Sequence, residues 1–286
     1  MSPILKLMRP HQWVKNAFVA APLFFTPDHM SVGAVLVVLA GIIAFSAVAS
    51  GVYVLNDYMD READRQHPSK RKRPLAAGTV SPGLGLGLMV GLMVGGLAGA
   101  VWLSRDFALI VFAYLVLNAA YSFYLKHLSI IDVMVVALGF VLRVYAGGVL
   151  FGIAPTVWII ACTMLLAMFI ALAKRRDDLV KGLGDDHRPS LKGYNRHFLD
   201  TGLAVVLASL LVSYLLYTTD PVNMANLGTE RLFLTVPFVM AGVLRYLQIT
   251  LVEERSGSPT TVVLRDRFML VTVLGWIATF AILIYG

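Results

Sequence analysis

Cysteine is almost missing: the 286 residues include one, Cys162, inside an apolar run. A single thiol excludes a disulfide framework and a cysteine metal cluster, and it reads as a small residue packed among hydrophobic neighbours. Charge is also scarce. Asp, Glu, Lys and Arg make up 14% of the chain, against 58% hydrophobic residues, where a soluble globular chain carries roughly 25% charged ones. No stretch is long and polar enough for a separate soluble domain, no internal repeat is evident, and no Ser or Cys nucleophile constellation stands out. These absences point to an all-α polytopic membrane protein, with residues 1–286 forming one integral membrane domain.

A spanning helix needs about 20 mostly apolar residues. Apolar runs fall near residues 13–27, 32–56, 82–103, 107–125, 129–151, 156–173, 198–218, 231–251 and 268–285, which predicts about nine transmembrane helices, the first short and interrupted. Lys6 and Arg9 before the first run resemble the start of a signal peptide. Lys15, Asn16 and Pro22 within it, and the lack of a convincing cleavage site, favour a first span instead. With the N-terminus inside, twenty of the 24 Lys and Arg residues fall in cytoplasmic segments, and only Arg105 and Arg231 fall on the opposite side. That asymmetry fixes the orientation. It also accounts for the net charge of +7, so no nucleic-acid partner is expected. Gly83, Gly87, Gly91, Gly95 and Gly99 recur every fourth residue. Such a stripe lets helices approach closely; packing within the monomer is the default expectation, and a homo-oligomer contact the alternative.

The chemistry concentrates after the second span, in NDYMDREADRQHPSKRKR. On one continuous helix, Asn56, Asp57, Asp60 and Asp64 fall within an arc of about 100°. Three carboxylates and an amide oxygen gathered at a membrane boundary repel one another without a cation, and such oxygen ligands suit Mg²⁺. Lys70, Arg71, Lys72 and Arg73 follow directly; they serve as topology anchors and as clamps for phosphate oxygens. Arg61 and Arg65 lie further round the helix, within reach of phosphate or of the helix surface.

RPHQWVKN at 9–16, VYVLNDYMDREADRQHPSKRKRPLAAG at 52–78 and YSFYLKHLSIIDVMVVALGFVLRVYAGG at 121–148, with KR at 174–175 and LRDR at 264–267, resemble the UbiA-type prenyltransferase superfamily. Within it, the chain is most similar to the decaprenyl-phosphate phosphoribosyltransferase branch. The resemblance covers nearly the whole chain. It implies helices around a central cavity open to the cytoplasm, in a bacterial plasma membrane. It also implies Mg²⁺-dependent transfer of 5-phosphoribosyl from 5-phosphoribosyl 1-diphosphate to a polyprenyl phosphate such as decaprenyl phosphate. Asp57, Asp60 and Asp64 would be catalytic, and the product a precursor of cell-wall arabinan.

Prenyltransferases of this superfamily carry a second DxxxD motif. Here the segment reads AKRRDDLVKGLGDDHRPSLKGYN: Lys181 stands four residues after Asp177 and Gly182 four after Asp178. The strict spacing is absent, although Asp177, Asp178, Asp185 and Asp186 keep the segment acidic, and Lys174 and Arg175 make it cationic. That favours a sugar diphosphate donor over a prenyl diphosphate. Inside the fifth run, Asp132 and Arg143 lie on nearly the same helix face; an intramembrane Arg needs a partner or a watery cavity. Lys15, Asn16, Lys70, Arg71, Arg73, Lys126, Arg143, Lys174 and Arg175 are the expected phosphate contacts. Trp13 reads as an interfacial anchor, and Arg245 is left unassigned. The rivals are a prenyltransferase acting on an aromatic acceptor, one acting on another lipid, and a transporter.

Overall fold

The computed structural model describes residues 2–66, 70–182 and 189–286. Among them every regular element is helical. Eight helices of 19 to 28 residues are long and apolar enough to cross a membrane. These include α3 (Val32–Met59), α5 (Pro82–Leu103), α6 (Arg105–Phe123), α7 (Ile131–Leu150), α8 (Val157–Val180) and α9 (Arg196–Thr219). The seventh is Leu232–Leu251, which contains α11 (Val236–Leu251), and the last is α13 (Arg267–Tyr285). Between them lie the short α4 (Arg61–Gln66), α10 (Pro221–Leu227) and α12 (Pro259–Arg265). Helix starts follow from side chains that satisfy orphan N–H groups. Ser31, Ser81, Ser104, Thr156, Asn195 and Asp266 each accept from the amide three residues on.

The expected first span is built differently. Residues 3–24 form a short α1 (Pro3–Met8), a 3₁₀ segment (Pro10–Ala20) and a one-turn α2 (Ala21–Phe24). Pro10 opens the 3₁₀ run and Pro22 follows its end; each lacks the N–H a continuous α-helix would use there.

The helices group into two compact units, 1–24 with 29–126 and 142–154, and 25–28 with 127–141 and 155–286. In the first, Phe45, Val48, Phe107, Val111 and Ala146 form a core with Val19 of the 3₁₀ segment. Two glycines set its geometry. A Cβ on Gly96 of α5 would stand 2.8 Å from the Ala44 carbonyl oxygen of α3. One on Gly147 of α7 would stand 1.9 Å from the Val19 carbonyl oxygen. Small residues there let backbones touch, the packing mode available where lipid removes the hydrophobic drive between helices. Of the glycine stripe only Gly99 packs within the monomer, its added Cβ standing 3.6 Å from Ala44 Cβ, whereas Gly83, Gly87, Gly91 and Gly95 face open space. The packed face of α5 carries Gly85, Gly96 and Ala100. In the second unit, Phe169, Leu199, Leu203, Tyr246 and Ile249 lie at the centre of the core.

Candidate active site

The helix carrying the acidic motif does not run through it. α3 ends at Met59, and Asp60 takes φ −88°, ψ 2° before α4 restarts at Arg61. Its amide still donates to the Asn56 carbonyl at 2.9 Å, and its carbonyl accepts from the Asp64 amide at 2.8 Å. The break divides the predicted single face. Asp57 and Asp64, both buried, turn to a common cation: Arg73 Nη1 lies 3.0 Å from Asp57 Oδ1 and 2.7 Å from Asp64 Oδ2. Arg9 Nη2 reaches the same Asp57 oxygen at 2.5 Å. Asp60, 38% exposed, pairs instead with Lys126 Nζ at 2.7 Å. Asn56 is half-buried beside them.

Among the described residues, no three carboxylate, imidazole or thiol groups converge closely enough to hold a metal ion. Asp57 and Asp64 do converge on one cationic nitrogen. A pair of carboxylates that already shares a cation fits Mg²⁺, which takes one or two carboxylates and completes its shell with water and phosphate oxygens.

The basic run is similarly divided. Lys70–Lys72 form a 3₁₀ turn in which Lys70 is half-buried and Arg71 exposed, while Arg73 turns inward to the acids. Arg61 lies over the Tyr58 ring and donates to its carbonyl, and Arg65 donates to Glu62 and to the Ala76 carbonyl. Both serve the helix surface.

A second polar group lies deeper in the same unit. Arg143, 4% exposed, donates from Nε to Asn16 Oδ1 at 2.8 Å and from Nη2 to the Tyr114 hydroxyl at 3.0 Å. Its guanidinium sits over the rings of Phe45 and Tyr114. Asn16 Nδ2 donates to Ser46 Oγ, and the Trp13 indole donates to Ser50 Oγ one turn on along α3. The 3₁₀ segment is thereby fastened to α3, so Trp13 is more than an interfacial anchor. Lys15 is half-buried, and Arg9 and Arg143 both act on it through space.

In the second unit Asp132 is fully buried and accepts from Arg175 Nε at 2.5 Å, Ser190 Oγ at 2.9 Å and the Tyr194 hydroxyl at 2.7 Å. Asp132 thus pairs with Arg175, one of the expected phosphate contacts; Arg175 is 3% exposed, and a buried carboxylate needs its charge matched. Lys174 is half-buried on α8. Arg176 binds Asp200 and the Thr250 carbonyl. Asp177 accepts from Lys181 at 2.6 Å, and its other oxygen is buried with no hydrogen-bond partner. Asp178 is half-buried, and Asp185 and Asp186 lie outside the described residues. Arg245 pairs with Glu253 and Asp266; hydrogen bonding from Arg245 holds the Asp266 carboxyl well below the usual carboxylate range.

Sequence reasoning missed Arg9, Tyr114 and Tyr194 as partners of charged groups. Arg9 carried one signal: it precedes Pro10, which restricts its backbone.

A profile of the UbiA prenyltransferase family matches residues 13–272. The decaprenyl-phosphate phosphoribosyltransferase of Mycobacterium tuberculosis is 34% identical over 96% of this chain and 92% of its own length. The protein of that name from Corynebacterium glutamicum is 32% identical over 99% of this chain and 86% of its own. A solved UbiA homolog from Archaeoglobus fulgidus bound to GPP and Mg²⁺ superposes with a TM-score of 0.74 over the full length of both chains at 21% identity, a likeness of fold. An acidic motif at the end of a membrane helix, the shared fold and a profile match along most of the sequence agree, and the chain belongs to the UbiA prenyltransferase family.

Proposed function

We propose that this protein transfers a 5-phosphoribosyl group from 5-phosphoribosyl 1-diphosphate to decaprenyl phosphate or a similar polyprenyl phosphate, releasing diphosphate. The observation that supports it most is the charge arrangement of the first unit. Asp57 and Asp64 meet on one guanidinium nitrogen, Arg9 and Lys126 pair with Asp57 and Asp60, and the same unit carries further positive charge at Lys15 and Arg143. A metal-bound diphosphate and a separate phosphate balance such a site. The relatives bearing the phosphoribosyltransferase name match nearly the whole chain, which supports the same choice of substrates.

Asn56, Asp57, Asp60 and Asp64 would hold Mg²⁺, which when bound supplies Lewis-acid stabilisation of the departing diphosphate. The chain's own groups do the positioning. Lys70, Arg71, Arg73 and Lys126 bind the diphosphate and ribose phosphate oxygens. Lys15, Asn16 and Arg143 bind the phosphate of the acceptor. One oxygen of that phosphate forms a bond to C1 of the ribose as the bond from C1 to the diphosphate breaks, and C1 gains oxocarbenium character between the two. Orientation and fixed positive charge then supply most of the rate. We further propose that 1–286 acts as one domain in the bacterial plasma membrane, with this site on the cytoplasmic side.

The test is a membrane assay with labelled phosphoribosyl diphosphate and decaprenyl phosphate, run beside one with prenyl diphosphates and aromatic acceptors. Labelled lipid in the first is expected; product only in the second would replace this assignment with prenyl transfer.

A further inference from the structure

Arg9 stands in a backbone conformation that arginine rarely adopts. Its φ of 52° and ψ of 58° are left-handed, and it precedes Pro10, which disfavours helical values at that position. Such outliers persist only where the surroundings over-determine them. Here the side chain does so: its guanidinium lies over the Tyr53 ring, 5.3 Å from the centroid, and binds Asp57 Oδ1 at 2.5 Å. Asp57 itself is 2% exposed. Arg9 and Arg73 thus neutralise Asp57 and Asp64 one for one, at the oxygens a divalent cation would need.

Adding a doubly charged ion to that arrangement leaves two positive charges in excess, in a partly buried place where like charges repel strongly. A diphosphate removes the excess and offers oxygens to which a displaced guanidinium pairs again. We propose that Arg9 is a positioning residue that couples divalent-cation binding to diphosphate binding: it holds Asp57 against the free ion and releases it to the ion together with diphosphate. The proposal rests on reading this site as the one for metal and diphosphate. It gives the left-handed Arg9 a role that a simple topology anchor lacks.

The coupling is measurable without turnover. Mn²⁺ binding to the purified full chain is followed by electron paramagnetic resonance, with and without inorganic diphosphate. In the parent protein, diphosphate is expected to tighten Mn²⁺ by roughly ten- to a hundredfold, within the range of site-to-site couplings. Arg9→Gly removes the guanidinium while placing at φ 52° the residue that prefers it. It is expected to bind Mn²⁺ alone about tenfold tighter and to lose most of the enhancement, and Arg9→Lys to recover part of it. Arg9→Gln gives the same reading if the glycine variant fails to fold. Unchanged or weaker binding of Mn²⁺ alone in these variants, or an undiminished enhancement, overturns the proposal. No Mn²⁺ binding by the parent protein even with diphosphate overturns the metal assignment along with it. Intact coupling in a protein that fails the phosphoribosyl assay leaves the role of Arg9 standing and changes only the donor.

Discussion

Asp60 separates catalysis from stability better than its neighbours do. Its carboxylate is 38% exposed and its partner Lys126 is 23% exposed, and an ion pair of that kind contributes roughly 0–1 kcal/mol to folding. Asp60→Ala is therefore expected to leave the thermal midpoint in detergent nearly unchanged while lowering turnover by about a hundredfold or more, the scale of losing a group that stabilises developing charge. Full activity in Asp60→Ala would remove Asp60 from the metal set. Arg73→Met is the contrasting case. It strands the buried Asp64 and leaves Asp57 to Arg9 alone, so it should lose stability as well as activity, by about 1–3 kcal/mol in a thermal or chemical melt. The spacing of Asn56, Asp57, Asp60 and Asp64 was enough to locate the site. It did not reveal how the acids divide, because the angular argument assumed a continuous helix and Asp60 breaks it. Arg9 was invisible for a related reason: a left-handed φ is set by tertiary contacts, and a sequence carries only the weak hint of the following proline.

At the scale of elements, long apolar runs and Ser, Thr, Asn or Asp caps made the membrane helices legible, since both signals are local. The 3₁₀ segment at 10–20 was not legible as such; the run at 13–27 reads as a short, interrupted span, and Pro10 and Pro22 are the local signals against a continuous helix. Close contacts were harder still. The regular Gly83–Gly99 stripe drew attention, yet it is Gly147, near the end of the 121–148 segment, whose added Cβ would stand 1.9 Å from a backbone oxygen, closer than at any stripe glycine. Gly147→Ala meets the Val19 carbonyl, a backbone atom that no rotamer change relieves. It should cost about 1–3 kcal/mol as an overpacked site. It should also raise KM for the acceptor lipid more than for the donor, because Lys15 and Asn16 ride on the displaced segment. Gly91→Ala, with nothing within 4 Å, should do neither, and equal effects from the two substitutions would contradict this account. Asp266 gives a pH-dependent counterpart. It caps α13 by accepting from the Met269 amide at 3.1 Å, and Arg245 holds its carboxyl low. A depressed folded-state pKa contributes stability above the unfolded carboxylate range, near pH 4, and that stability is lost as pH falls through the lower folded value. Asp266→Asn should flatten this acid limb of the melting profile relative to the parent protein.

At the scale of the whole molecule, the proposed orientation rests on charge asymmetry, and the supply of substrate depends on it. Phosphorylated sugars are soluble cytoplasmic anions, and the proposed donor requires Lys70 to Arg73 on that side. The prediction is accessible because the native chain has only Cys162, which Cys162→Ala removes as a background. In that background, Arg71→Cys and Arg105→Cys place one thiol at each end of the distribution. Arg71 is exposed in its turn, and Arg105 opens α6. With a membrane-impermeant maleimide on intact bacterial cells whose outer barrier has been opened, Arg105→Cys should label and Arg71→Cys should not. Inside-out vesicles should reverse the pattern. Both side chains are exposed, so both variants should fold and insert normally. Labelling of Arg71→Cys from outside would place the acidic pair away from the pool of sugar diphosphates. A phosphoribosyl donor would then be untenable whatever the chemistry of Asp57 and Asp64.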